Sequence, residues 1–336
     1  MKIGIATPTL VEGDAVGNDV IGMYMTIKRL GHNPILYAHT SKVYHPVKDM
    51  HDIENDLDVF IYHHSIACDV GVETFVDLDC RKILKYHNIT PPEYFNDPYM
   101  QMKCQTGINQ LSQLLDTECE IWVDSEFNGL DLFKIKQCSY KIIPPFNQVD
   151  MLMNADIDAR IALPYNDWHR NVLVVGRIAP NKNIEMAVDA IAECKNTRLI
   201  LVGDASGGYA DNIRKKAANM KNVIITEKVG IPALKAFYVI ADAFLTTSKH
   251  EGFCIPAVEA MAMSVPVIAN SNCALPYTCG DAAHYANTVE EIVEGINHVI
   301  ENKSSFIQKG QERFKSMYHN PLIESKIASA FNDNLP

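Results

Sequence analysis

Glu251 and Glu259 bracket the loop and helix start in Lys249-His250-Glu251-Gly252-Phe253-Cys254-Ile255-Pro256-Ala257-Val258-Glu259-Ala260-Met261-Ala262. Carboxylates accept paired hydrogen bonds from vicinal hydroxyls, so two of them around a Gly-Phe loop suit a polyol. Pro256 has the fixed φ that suits a first helical position, which predicts a helix from there until Pro266 interrupts it. Glu251 then lies in the loop and Glu259 in the first turn. The first amides of such a helix lack internal partners, and with the positive end of the helix dipole they favour a phosphate oxygen. Gly252 lets backbone approach closely. The ligand class implied is a sugar joined to a phosphate. Either glutamate alone is equally explained as an acid at a helix terminus, worth about 0.3–1 kcal/mol.

Arg177 and Lys182 follow Gly176 at the end of a predicted strand. A strand-to-helix loop there can aim a guanidinium fork and an ammonium at a diphosphate. Departure of a diphosphate develops negative charge that no proton easily quenches, so neutralising it is the main catalytic demand. The two cations fill that role, and no metal is expected. His87 follows another predicted strand, at its carboxyl end, and is a further site candidate, with His63 and His64 weaker ones for the acceptor side. Gly17, in the first strand-to-helix loop, would let backbone approach phosphates. Asp14 and Asn18 beside it either touch a ligand or form the turn.

The motif Glu-Gly-Phe-x-x-Pro-x-x-Glu-Ala-Met-Ala, with Pro266-Val267-Ile268-Ala269 after it, resembles the signature of the retaining nucleotide-sugar glycosyltransferases of the GT-B fold, in the GT4-like (glycosyltransferase group 1) family. Val175-Gly176-Arg177 with Lys182-Asn183, and Leu275-Pro276 followed by Gly280-Asp281-Ala282-Ala283, are similar to further pieces of it in the same order. The first half resembles the family more weakly, through Gly13-Asp14-Ala15-Val16-Gly17-Asn18-Asp19, Tyr86-His87-Asn88-Ile89-Thr90-Pro91 and Ser125-Glu126-Phe127-Asn128.

The resemblance implies a metal-independent hexosyltransferase with no cofactor beyond its donor substrate, GDP-mannose or a UDP-hexose. The acceptor would be a glycan, a lipid-linked glycan or a small molecule. By the same resemblance Arg177 and Lys182 neutralise the leaving diphosphate, Glu251 and His87 contact the donor sugar, and Glu259 binds the ribose. Backbone at Phe253, Cys254 and Ile255 would meet the sugar, although relatives often have glycine at the Cys254 position. A nucleotide-sugar epimerase, a glycan phosphorylase and a non-catalytic nucleotide-sugar-binding subunit are the alternatives; chain length and the lack of a pyridoxal-lysine motif disfavour the phosphorylase.

With 336 residues, 47% of them apolar and 21% charged, the chain can build two substantial cores. A net charge of −11 argues against a general nucleic-acid or anionic-lipid footprint. No apolar run approaches the roughly 20 residues that span a bilayer, and the first residues read directly into a strand, so a cytoplasmic protein is expected. Nine cysteines with no Cys-x-x-Cys pair predict neither a disulfide framework nor a zinc knuckle.

Short β-rich runs at 2–6, 34–38, 59–63, 82–86, 120–124 and 141–144 alternate with helical-period segments, and a second series runs through 172–175, 198–202, 223–226, 243–246 and 266–269. Strand–helix alternation implies right-handed crossovers and parallel sheets, hence an α/β chain of two Rossmann-like domains, which in the GT-B fold face each other. The polar stretch 146–171 holds the linker, giving domains at 1–160 and 161–316. Phe306, Phe314, Met317 and Ile327 have helical spacing, and by resemblance residues 317–336 return to the first domain.

Overall fold

The computed structural model describes residues 1–11 and 13–332. The chain divides into two compact units, one made of Met1–Asn147 with the C-terminal segment from Met317, the other of Gln148–Ser316.

The first unit contains β1 (Lys2–Val11), β2 (Asn33–Lys42), β3 (Val47–Asp49), β4 (Val59–His64), β5 (Arg81–Tyr86), β6 (Glu120–Val123) and β7 (Lys141–Ile142). They form one seven-stranded sheet in the order β3-β2-β1-β4-β5-β6-β7. Every pairing is parallel. A parallel sheet is covered on both faces, so its strands read as continuous apolar runs. β4 shows the reason: Phe60 and Tyr62 enter one core, Val59 and Ile61 the other. The helix Asn320–Asn332 closes the second of these faces with Ile323, Ile327, Ala330 and Phe331, which pack with Val20, Met23, Ile27 and Trp122. Arg29 reaches Glu324 of this helix at 2.5 Å.

The second unit contains β8 (Arg170–Val175), β9 (Thr197–Val202), β10 (Val223–Thr226), β11 (Ala243–Thr246), β12 (Val267–Ala269) and β13 (Ala283–Tyr285), in the order β10-β9-β8-β11-β12-β13. It is also parallel throughout. In each sheet the strand order reverses next to the first strand, between β1 and β4 and between β8 and β11. Ligands in open α/β sheets bind outside the carboxyl ends of strands at such a reversal.

Three features differ from the expectation. The division falls after Asn147, and residues 148–160 belong to the second unit. They are held there because Lys235 donates to the carbonyls of Met153 and Ala155 at 2.6 and 2.7 Å, and Asp158 N–H to that of Pro232. β3 and β13 are each three residues long, too short for a period to be visible. The single predicted tail is two helices, Lys303–Arg313 and Asn320–Asn332, joined through a π turn at Phe314–Tyr318. Among the described residues, no helix is long and apolar enough to cross a membrane.

Candidate active site

At the reversal in the second sheet, the loop after β8 carries Gly176, Arg177 and Lys182, and the loop after β11 carries Thr247 to Gly252. The two loops are tied backbone to backbone: Lys249 N–H donates to Asn181 O at 2.8 Å, and the Thr247 hydroxyl lies 3.0 Å from the carbonyls of Lys182 and Asn183. Gly176 sits at φ +139, in backbone that a side chain strains. Gly203, after β9, is the second required glycine. A Cβ there would lie 2.2 Å from the Gly176 carbonyl oxygen. Nothing in the sequence pattern singled it out, because its partner is across the sheet.

Lys182 and Glu251 meet at 2.6 Å, with side chains 23% and 9% exposed. The Ser248 hydroxyl donates to the same Glu251 oxygen at 2.7 Å and lies 3.0 Å from Thr246 Oγ1. Burial works to lower the Lys182 pKa, but the Glu251 charge outweighs it and the pKa is raised. Lys182 is therefore a cation at any physiological pH. Arg177 is exposed and makes no ion pair among the described residues. It borders the same small pocket as Gly176, Lys182, Thr246, Ser248 and Glu251. One guanidinium open to a ligand and one ammonium held by a carboxylate make this loop pair an anion site with a polar floor.

The helix of the acidic motif is Ile255–Ala262, so it begins one residue before the expected start and Pro256 is its second residue. Glu259 is accordingly not in the first turn. It lies in the second, 9% exposed, with Tyr238 Oη donating to Oε2 at 2.8 Å. Burial raises its pKa, opposed by the Tyr238 hydrogen bond. Cys254 precedes the helix at φ +81, in the left-handed region that favours glycine. Its thiol is pushed well above the usual range by burial and then by the Glu251 charge, which leaves no thiolate for chemistry. Phe253 is buried, with its carbonyl taken by the Thr278 hydroxyl at 2.7 Å; Gly252 and Ile255 are half-buried.

In the first unit the sequence candidates fare differently. Gly17 sits in the first turn of the helix Ala15–Arg29, and a Cβ on it would fall 2.0 Å from the Val11 carbonyl oxygen. Its absence of a side chain is therefore already needed for packing the helix onto β1. Asp14 accepts from Gly17 N–H at 2.5 Å and caps that helix. His64 is buried, its Nε2 2.9 Å from the Gly107 carbonyl oxygen. His87 has both ring nitrogens engaged: Nδ1 with Asp124 Oδ2 at 2.9 Å and Nε2 with His63 Nδ1 at 2.8 Å. A sugar hydroxyl reaching His87 has to displace His63. Asp19, Lys85 and Asp124 complete this buried cluster, and sequence reasoning gave none of the three a role. Lys85 and Asp124 lie near strand ends, whereas Asp19 sits within the helix after β1, where no strand-end signal marks it.

The two loops at the β8/β11 reversal lie within a segment that has known relatives. Residues 159–316 match the sequence profile of the family described as "Glycosyl transferases group 1". Residues 159–316 are therefore similar to the group 1 glycosyltransferases. The chain is 28% identical over 248 residues to the lipopolysaccharide 1,2-N-acetylglucosaminetransferase of Salmonella typhimurium, a match covering 66% of the chain and 63% of that protein. It is 35% identical over 95 residues to a GDP-mannose-dependent alpha-mannosyltransferase of Mycolicibacterium smegmatis, covering 28% of the chain and 24% of that protein. The chain thus spans less than two thirds of the length of either relative. Its fold is that of the Anabaena HepE structure solved with UDP-glucose, at a TM-score of 0.78 and 16% identity over 99% of this chain and 100% of that one. The two parallel α/β units are those of the GT-B fold.

The sequence contains Asp-x-Asp triplets at Asp56/Asp58, Asp77/Asp79 and Asp156/Asp158. Lys2 occupies Asp56 and Asp58, and Arg160 occupies Asp158. None of the six joins a cluster of metal-ligating groups among the described residues.

Proposed function

We propose that the protein is a retaining glycosyltransferase, moving a hexose from a nucleoside-diphosphate sugar to an acceptor hydroxyl without a metal at the leaving group. The Lys182–Glu251 pair beside Arg177 carries this reading. Arg177 and Lys182 supply two positive charges where a departing diphosphate gains negative charge, and such preorganised charge is worth most in the transition state. Glu251 is the group able to accept hydrogen bonds from sugar hydroxyls while orienting Lys182, and Ser248 fixes its carboxylate. Glu259, whose Oε2 accepts from Tyr238, is the group that accepts from ribose hydroxyls in this reading. With no protein nucleophile required, the acceptor attacks the face from which the diphosphate leaves, and a phosphate oxygen takes the acceptor proton. The donor is GDP-mannose or a UDP-hexose, and the acceptor a glycan, a lipid-linked glycan or a small alcohol.

A panel of nucleotide sugars tests this by thermal shift and donor turnover, since a ligand of the native state raises apparent stability with occupancy. One donor class is expected to raise Tm and to be consumed, giving a product with the donor's anomeric configuration by NMR. Binding without turnover, with any acceptor tried, would leave a nucleotide-sugar-binding subunit instead. Inverted configuration would refute the retaining mechanism.

A further inference from the structure

Asp19, His63 and His87 come from a helix and two strand ends far apart in sequence, yet three of their polar atoms converge. His63 Nδ1 and His87 Nε2 lie 2.8 Å apart, and Asp19 Oδ2 lies 3.7 Å from each. The point equidistant from the corners of that triangle is about 2.0 Å from each atom, and moving it about 0.5 Å out of plane lengthens this only to about 2.1 Å, within the ~2.0–2.2 Å of zinc bonds to imidazole and carboxylate.

Two of the three ligands have an outer partner, whereas the third, His63, has its Nε2 buried with no hydrogen-bond partner among the described residues. Asp124 Oδ2 engages Nδ1 of His87 at 2.9 Å, which places the proton on Nδ1 and leaves the Nε2 lone pair toward the centre. Asp19 Oδ1 accepts from Phe146 N–H at 2.9 Å, whereas Oδ2 is fully buried with no hydrogen-bond donor. Lys85 stands 3.9 Å from that oxygen, but its ammonium is taken by Asp124 Oδ1 at 2.5 Å and by the Ile143 carbonyl. The Lys85 ammonium is therefore held by Asp124 rather than by Asp19, whose Oδ2 receives no hydrogen bond among the described residues.

We propose that Asp19, His63 and His87 form a binding site for a zinc-class divalent cation, with Asp124 as the outer partner that orients His87. Two imidazoles and one carboxylate select a borderline metal over Mg²⁺ or Ca²⁺, which take oxygen ligands. The site lies within the first unit and does not rest on the transferase reading.

The test uses the full chain, stripped by chelator and titrated with Co²⁺ as an optical stand-in for Zn²⁺. One equivalent is expected to give visible d–d bands that Zn²⁺ displaces, and Zn²⁺ is expected to raise Tm. Asp19→Asn keeps the shape and can still accept from Phe146 N–H, so it should unfold near the parent's temperature while losing both signals. His63→Gln serves as the second ligand variant, and Asp124→Asn should weaken cobalt about 10–100-fold, the usual effect of an outer partner. Absence of the bands in the parent overturns the proposal, and so does their survival in Asp19→Asn. A near-ultraviolet sulfur-to-cobalt band would assign the metal to cysteine and overturn it equally. Nucleoside-diphosphate binding is read separately, since the loops proposed for the phosphates lie in the second unit.

Discussion

Glu251→Gln perturbs the second-unit site at its most connected atom. In the parent, Glu251 Oε1 receives Lys182 at 2.6 Å and the Ser248 hydroxyl at 2.7 Å. The amide keeps the side-chain volume and can still accept one of these bonds, but it brings no charge. Breaking a fully buried pair costs about 3–5 kcal/mol. Lys182, 23% exposed, can recover part of its hydration, so a loss of roughly 1–2 kcal/mol is expected, near that of a hydrogen bond to a charged group. At ~2–4 °C per kcal/mol for a unit of this size, Tm should fall by about 2–8 °C. Nucleoside-diphosphate binding should move the other way. Removing a carboxylate from beside the ammonium lifts a repulsion of about 1 kcal/mol under water-like screening, or roughly fivefold tighter binding. Transfer should nonetheless drop by ~30-fold or more, because the lost partner is the sugar. Calorimetry with the diphosphate, thermal unfolding and initial rates read the three effects. Weaker diphosphate binding would place Glu251 on the nucleotide, and unchanged values in all three assays would make it a structural residue.

Arg177→Ala should leave Tm within about 1–2 °C, since the guanidinium is exposed and makes no ion pair among the described residues, yet lower kcat by roughly 10²-fold; normal turnover removes it from the phosphate site. Transfer should need no added Mg²⁺ or Mn²⁺ after exhaustive chelation, and a loss that either ion restores would refute leaving-group stabilisation by the two cations. Glu259 has a raised pKa through burial, so its stabilising contribution is present below the ordinary glutamate pKa and lost as pH rises through the folded value. Glu259→Gln should accordingly gain stability relative to the parent as pH rises from 4.5 towards 7, measured by thermal unfolding, while weakening the diphosphate; a pH-independent difference would show that the carboxyl is not held above its usual range.

The strand–helix alternation, the two parallel sheets and the loops at Gly176–Lys182 and Glu251–Ile255 were legible in the sequence. Each is a local property: buried strands are continuous apolar runs, and a phosphate-facing loop needs its glycine and cations within a few residues of a strand end. The start of the helix at Ile255 escaped because one residue of backbone at Cys254, φ +81, shifts every helical position after it, moving Glu259 from the first turn to the second. The Lys182–Glu251 ion pair needed the tertiary structure, since only the adjacency of β8 and β11 brings residues 69 apart to 2.6 Å. Gly203 became necessary for the same reason, through the Gly176 carbonyl on a neighbouring strand. The Asp19–His63–Lys85–His87–Asp124 cluster carries no spacing signature at all. Its members sit in the helix after β1, on β4 and β5, and just beyond β5 and β6. Sequence determined which residues end the strands, and the lateral order of the strands decided which of them share a buried pocket, where low dielectric sets their charge.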